Sequence, residues 1–235
     1  MLGASRAALM ASGGGGDPYF ANVSLLIQPT AASASILDLS RNGHTVTAVG
    51  DAALSTAVSD PWGGSRKVIV FDGAGDWLTL PGGTTFAFGT GDLTVEYFAY
   101  AASANDGSII DFRASGGFSD VSPNVYVNSA NVPILYTAGA DRITGTAAAT
   151  GAFVHVALTR ESGTSRLWKA GAQVGSDYTD GNNYVVGASR PIIAGNGANT
   201  AIFEWAGYMT GIRVTKGVAR YSSTFSVPTD PFPDI

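Results

Sequence analysis

From Val23 onward, apolar and polar positions alternate with a period of two, the spacing of a strand that buries one face. In LTVEYFAY, Leu93, Val95, Tyr97 and Ala99 share one face, while Thr94, Glu96, Phe98 and Tyr100 share the other. FVHVALTR turns Val154, Val156 and Leu158 inward and sets His155, Ala157 and Thr159 opposite. KVIVF at 67–71 and DWLTL at 76–80 flank Asp72-Gly73-Ala74-Gly75, a hairpin-type turn. NVSLLI (22–27), HTVTAV (44–49), SIIDF (108–112), NVYVN (124–128), VPILYT (132–137), RLWKAG, PIIAG and GIRVT continue the series between glycine-rich turns. No long 3.6-residue pattern interrupts them. About twelve to fourteen short strands with such turns predict an all-β, two-sheet antiparallel sandwich.

The two ends depart from this pattern. Gly13 to Gly16 cannot hold a helix or strand, because each glycine loses maximal backbone entropy on ordering. The expected organisation is an arm and linker over 1–16 and one β domain over 17–235. Residues 4–12, ASRAALMAS, favour a helix that Ser5 could cap, yet they fall below the roughly 12–15 residues a lone helix needs. Leu2, Leu9 and Met10 therefore require another surface to bury against, and they form the candidate anchor. A secretion signal is not expected, since the apolar stretch Ala7 to Ala11 is shorter than the roughly 7–15 residues of such a core. At the other end, Pro228, Pro231 and Pro233 forbid a central strand, so residues 225–235 should lie as an extended tail across the sandwich.

Composition narrows the function. The chain is 45% hydrophobic but only 13% charged, against roughly 25% charged in ordinary soluble domains. A surface of small polar residues suits a subunit packed among many neighbours, and it also suits a secreted β-protein. The net charge of −5, with 13 scattered basic residues, argues against nucleic acid, which demands clustered Lys and Arg. With no cysteine there is no disulfide framework and no thiolate chemistry. No apolar run approaches the roughly 18 residues of a membrane span.

Four stretches carry a resemblance: VFDGAGDWLTLP at 70–81, HVALTR at 155–160, RLWKAGAQVGS at 166–176, and FEWAGYMTGIRVTKGVARYSSTFSVPTDPFP at 203–233. In this order they resemble the laminin-G-like, concanavalin A-like lectin/glucanase jelly rolls of bacteriophage structural proteins, over about residues 17–233. The resemblance implies a jelly roll closed by its C-terminal tail. It leaves function open, because this fold carries lectins, glucanases and inert assembly modules alike.

Glucanases of the fold set two carboxylates on one strand in a Glu-x-Asp-x-x-Glu pattern, with the carboxyls of a retaining site about 5–5.5 Å apart. Glu96 has Thr94 at i−2 and Phe98 at i+2, and the other glutamates are Glu161, in a solvated turn, and Glu204. No glycosidase and no other enzyme activity is expected. Only His44 and His155 could serve a hydrolytic triad, and no G-x-S-x-G elbow is present; His44 should be exposed after its Asn42-Gly43 turn. No cofactor is expected. Calcium is the one metal the pattern leaves open, through Asp38, Asp72, Asp76 or Asp92. Resembling domains often carry acids in a Gly-Tyr-Ile-Asp-Glu stretch, and Gly207-Tyr208-Met209-Thr210-Gly211 has lost both. Asp72 and Asp76 are expected instead to bond the amides of their own turn.

One constellation remains. Glu96, Phe98, Tyr100, His155 and Arg213 project from the face opposite the core. They form either a glycan face, through aromatic stacking and planar hydrogen bonds, or a Glu96–Arg213 pair within a second, loop-covered mini-core. The expected function is a non-enzymatic bacteriophage virion protein, a capsid decoration, head-fibre or tail-associated subunit. Residues 1–12 would hold it to other virion proteins in a multicopy symmetric assembly. The alternative is a glycan- or receptor-binding lectin module of a tail fibre. Nucleic acid and membrane partners are not expected.

Overall fold

The computed structural model describes residues 16–185 and 190–235. The expected anchor residues, Leu2, Leu9 and Met10, lie outside the described residues. Among the described residues there are fifteen strands and one short 3-10 turn, Phe20–Asn22, and no helix long and apolar enough to cross a membrane.

One sheet runs β13 (Ala172–Thr179), β12 (Thr164–Lys169), β11 (Phe153–Glu161), β6 (Leu93–Tyr100), β15 (Ala206–Lys216), β4 (Val68–Asp72) and β3 (Ala53–Ser55). β1 (Val23–Ile27) also pairs with β15, beyond the stretch that β4 occupies. The second sheet runs β10 (Ala140–Thr144), β9 (Pro133–Thr137), β8 (Asn124–Val127), β7 (Gly107–Asp111), β14 (Ile192–Ile193), β5 (Trp77–Thr79) and β2 (Thr47–Val49). Every pairing is antiparallel.

The core fills the space between the sheets, as period-two patterning requires. Leu93, Val95 and Tyr97 of β6, Val156 and Leu158 of β11, and Met209, Ile212 and Val214 of β15 meet Ile109, Ile110, Val125 and Leu135 from the second sheet. HTVTAV forms a strand only at Thr47–Val49, because Asp38 captures the start of that stretch. Asp38 accepts the His44 amide at 2.9 Å and lies 2.7 Å from His44 Nδ1. His44 is consequently half-buried against Phe86 rather than exposed.

The middle of the first sheet is buried on both faces, which strict alternation does not announce. Its outer face is roofed by residues 17–22 and by the tail after Lys216. Phe20, Val23, Leu26, Phe98 and Phe232 form one cluster there, and Ala157, Trp168 and Tyr221 another. The tail forms no strand. Scattered hydrogen bonds hold it: the Phe225 amide donates to the Gly171 carbonyl at 2.9 Å, and Gln28 clasps Phe232 from both sides, accepting its amide at 3.0 Å and donating to its carbonyl at 2.6 Å. The Asp17 amide donates to the Ile235 carbonyl at 2.8 Å, which brings these two distant positions together.

Candidate functional site

β6, β11 and β15 lie side by side, so their outward residues converge at the middle of the sheet. The register sets His155 opposite Phe98 and Arg213 opposite Glu96. A bulge in β15 between Thr210 and Arg213 makes this possible. Gly211 occupies it at φ +57°, and a Cβ there would come within 3.0 Å of the Phe98 ring and 3.2 Å of Trp62. The extra residue lets Thr210 and Arg213 both face outward while Met209 and Ile212 stay in the core.

Glu96 is fully buried, and its acceptor positions are filled. Oε1 takes Arg213 Nε at 2.9 Å and Nη2 at 2.8 Å. Oε2 takes the Tyr221 hydroxyl at 2.7 Å and faces His155 Nε2 at 3.1 Å. An ionised carboxylate only accepts, so Nε2 carries the hydrogen in that contact. Asp17 completes the network: Arg213 Nη1 lies 3.2 Å from Oδ2, and Arg220 reaches both oxygens at 3.1 and 2.6 Å. Two carboxylates thus face two guanidiniums, and the cluster balances. The Phe232 ring lies 3.7 Å from the Arg213 guanidinium carbon and seals it from solvent.

Burial alone would raise the Glu96 carboxyl. Arg213 foremost, then His155 and Arg220, hold it well below the usual carboxylate range. Burial and the neighbouring Glu96 charge push the Tyr221 phenol well above its ordinary value. A carboxylate held ionised, with every acceptor position occupied, has no proton to donate and no lone pair free for attack.

The expected glycan face is therefore corrected. Glu96, Phe98, His155 and Arg213 are each no more than 3% exposed. Their polar atoms point into the Asp17–Arg220–Tyr221 network, and tail and N-terminal residues cover them. They form the covered mini-core, with the Glu96–Arg213 pair at its centre.

Tyr100 alone of that set reaches the surface. The register pairs it with Phe153 on β11 and Tyr208 on β15, one outward aromatic row across three strands. Both neighbours meet Tyr100 edge-on, at centroid distances of 5.5 and 5.6 Å, and all three rings are half-buried. Tyr100 and Phe153 line an open groove with about 430 Å³ of water-accessible space, walled by Val58, Ser59, Asp60 and Pro61 on one side and Gly151 and Ala152 on the other. Asp60 holds the wall by accepting the amides of Trp62 and Arg66 at 3.0 and 2.9 Å. Reading across from Tyr100 to the outward aromatic at the start of each antiparallel neighbour, FVHVALTR and GYMTGIRVT, is the signal that would have found Phe153 and Tyr208.

The calcium candidates separate. Asp38 is tied to Leu26, Ser40 and His44, and Asp92 accepts the Ser162 amide at 2.8 Å. Asp72 and Asp76 are joined instead by Asp51, the one acidic trio among the described residues, with an oxygen from each within 4.8 Å of the others. Asp76 is buried and accepts the amides of Asp51 and Asp72 at 2.8 and 3.0 Å. Asp72 accepts the Ala74 amide at 2.7 Å. The hydrogen bond that the Asp51 carboxyl, when protonated, donates to Asp76, then the charges of Asp76 and Asp72, push the Asp51 carboxyl up. Turn amides therefore account for Asp72 and Asp76.

A family model described as the concanavalin A-like lectin/glucanases superfamily matches residues 72–220. No curated protein matches in sequence. Among solved structures, the chain is similar to the binding domain of Paraclostridial Mosquitocidal Protein 1, with a TM-score of 0.66 and 9% identity over 86% of this chain and 51% of that one. It is similar to the botulinum neurotoxin serotype D/C VPI 5993 binding domain, with a TM-score of 0.60 and 8% identity over 86% and 50%. A third is the botulinum neurotoxin DC binding domain in complex with SialylT, with a TM-score of 0.54 and 10% identity over 86% and 49%. The chain spans about half the length of these structures, and at such identities the likeness is one of fold.

Proposed function

The chain belongs to the concanavalin A-like lectin/glucanases superfamily, and from that premise we propose that it is a non-catalytic binding module whose ligand is a surface glycan. The observation that carries this reading is the aromatic row Phe153–Tyr100–Tyr208 beside an open groove, on the same sheet face whose central carboxylate is sealed away. Sugar rings present flat C–H faces that stack on half-exposed aromatic rings, and a volume of this size suits one or two sugar units. The neurotoxin domain that shares the fold was solved in complex with SialylT, which supports a sugar as the ligand class.

The setting we propose is a bacteriophage particle, with the arm over residues 1–12 as the attachment and the sandwich as the adhesive head. The supporting observation is compositional: 13% charged residues and no cysteine, a surface suited to close packing among other subunits. A glycan array, followed by titration of the best ligand, tests the binding reading. Tyr100→Ala and Phe153→Ala should each weaken binding at least about tenfold, equivalent to about 1.4 kcal/mol, while the fold persists. Unchanged affinity in both variants would reject the groove.

A further inference from the structure

A second void lies between the sheets, toward one end of the sandwich. Tyr97, Ala99, Val154 and Val156 line it from the first sheet and Ile109 and Val127 from the second, with Trp205 beside them and Ala148 and Ala149, which reach the surface, in the rest of its wall. Its water-accessible space is about 20 Å³. Two of its lining side chains, Tyr97 and Trp205, are each 1% exposed. Their polar atoms, Tyr97 Oη and Trp205 Nε1, are buried among the described residues with no hydrogen-bond partner.

Such groups rarely stay unsatisfied, because burial strips them of water without returning a partner. Trp205 cannot turn to find one. Its amide is fixed to the Ala194 carbonyl at 3.0 Å. A Cβ on Gly207 would sit 2.4 Å from the far edge of the indole, and one on Gly107 would sit 2.7 Å from Trp205 Cα and Cβ. Gly107 thus crowds the root of the side chain and Gly207 its ring, two approaches that only glycine permits. Burial also drives the Tyr97 phenol far above its ordinary range, so the hydroxyl keeps its proton and remains a donor.

We propose that this void is a binding site for a single water molecule, held between Trp205 Nε1 and Tyr97 Oη. The chemistry fits. Indole N–H only donates, and water accepts; the tyrosine hydroxyl can both donate and accept. The volume decides the count. One buried water needs at least about 10–15 Å³ of such space and two to four polar partners. This site offers room for one, with two partners in place.

The test is nuclear magnetic resonance on the unaltered, ¹⁵N-labelled chain, with Trp205 Hε1 assigned through its own backbone amide. A cross-peak between Trp205 Hε1 and water, with the sign of a nanosecond-or-longer residence, is expected, and xenon should leave the resonance unmoved. Tyr97→Phe, which removes only the hydroxyl, should abolish or sharply weaken the cross-peak. An assigned Hε1 with no water cross-peak, or one that shifts under xenon, would overturn the site by showing a dry void. Should the variant fail to fold, solvent density between the two atoms in a crystal of the unaltered chain decides the matter, and its absence rejects the proposal.

Discussion

Glu96→Gln is the sharpest perturbation of the covered network, because it changes charge and one atom type without changing volume. In the native cluster Glu96 and Asp17 balance Arg213 and Arg220, and all four side chains are at most 2% exposed. The variant leaves one carboxylate against two guanidiniums in a site closed to bulk solvent. It also presents an amide N–H₂ to donors that need acceptors: Arg213, Tyr221 and His155. Breaking a buried pair from one side costs about 3–5 kcal/mol. At about 2–4 °C per kcal/mol for a domain of this size, Tm should fall by about 6–20 °C.

The pH dependence gives an independent check. A glutamate in the unfolded chain titrates near about pH 4.3, and the folded value of Glu96 is depressed below that. Its contribution is therefore complete above about pH 5 and is lost as pH falls through the folded value. Urea unfolding of the native chain should show stability dropping on acidification below about pH 5, and Glu96→Gln should show a shallower drop. Removing Glu96 and Arg213 together should cost less than the sum of the single changes, since neither is then left unpaired. A loss under about 1 kcal/mol in Glu96→Gln, with an unchanged acid slope, would refute the network as the fastener of this face.

Two other expectations concern the roof and the arm. Phe232 is 4% exposed and covers Arg213, so Phe232→Ala should destabilise by about 3–5 kcal/mol, read from the shift in urea midpoint. Deleting residues 1–12 should leave the melting transition intact and remove the protein from purified particles, scored by quantitative mass spectrometry; unchanged occupancy would sink the anchor. Burying Leu2, Leu9 and Met10 at about 1.5–3 kcal/mol each is the energy at stake.

The alternation in LTVEYFAY and FVHVALTR assigned inward and outward rows correctly, because the period-two geometry of a strand is local. What lay on top of the outward row was not local. Asp17 reaches Arg213 across 196 positions and Tyr221 reaches Glu96 across 125, separations at which no spacing rule operates. Outward polar positions then read equally well as a solvent face or as a covered one. The prolines marked the tail as extended, and Phe225 and Phe232 within it mark it as a lid. Asp51 joined Asp76 through a turn 25 positions away, again without a local sign. The outward placement of Arg213 follows only when GIRVT is read by itself; strict alternation carried from Met209 across the Gly211 bulge would turn that side chain into the core.

The meeting of Asp17 with Ile235 has a mechanical consequence. Force entering through the N-terminal side reaches the sandwich at a residue clamped by Arg213 and Arg220, then passes into β1. That strand is zipped lengthwise against β15, from Val23 opposite Thr215 to Ile27 opposite Ile212, while the aromatic row lies toward the other end of the same β15, at Tyr208. A pull between groove and arm therefore runs along one central strand. It loads several backbone hydrogen bonds in shear at once instead of peeling them singly. A head tethered in this way would resist drag best in the direction in which a bound surface pulls it.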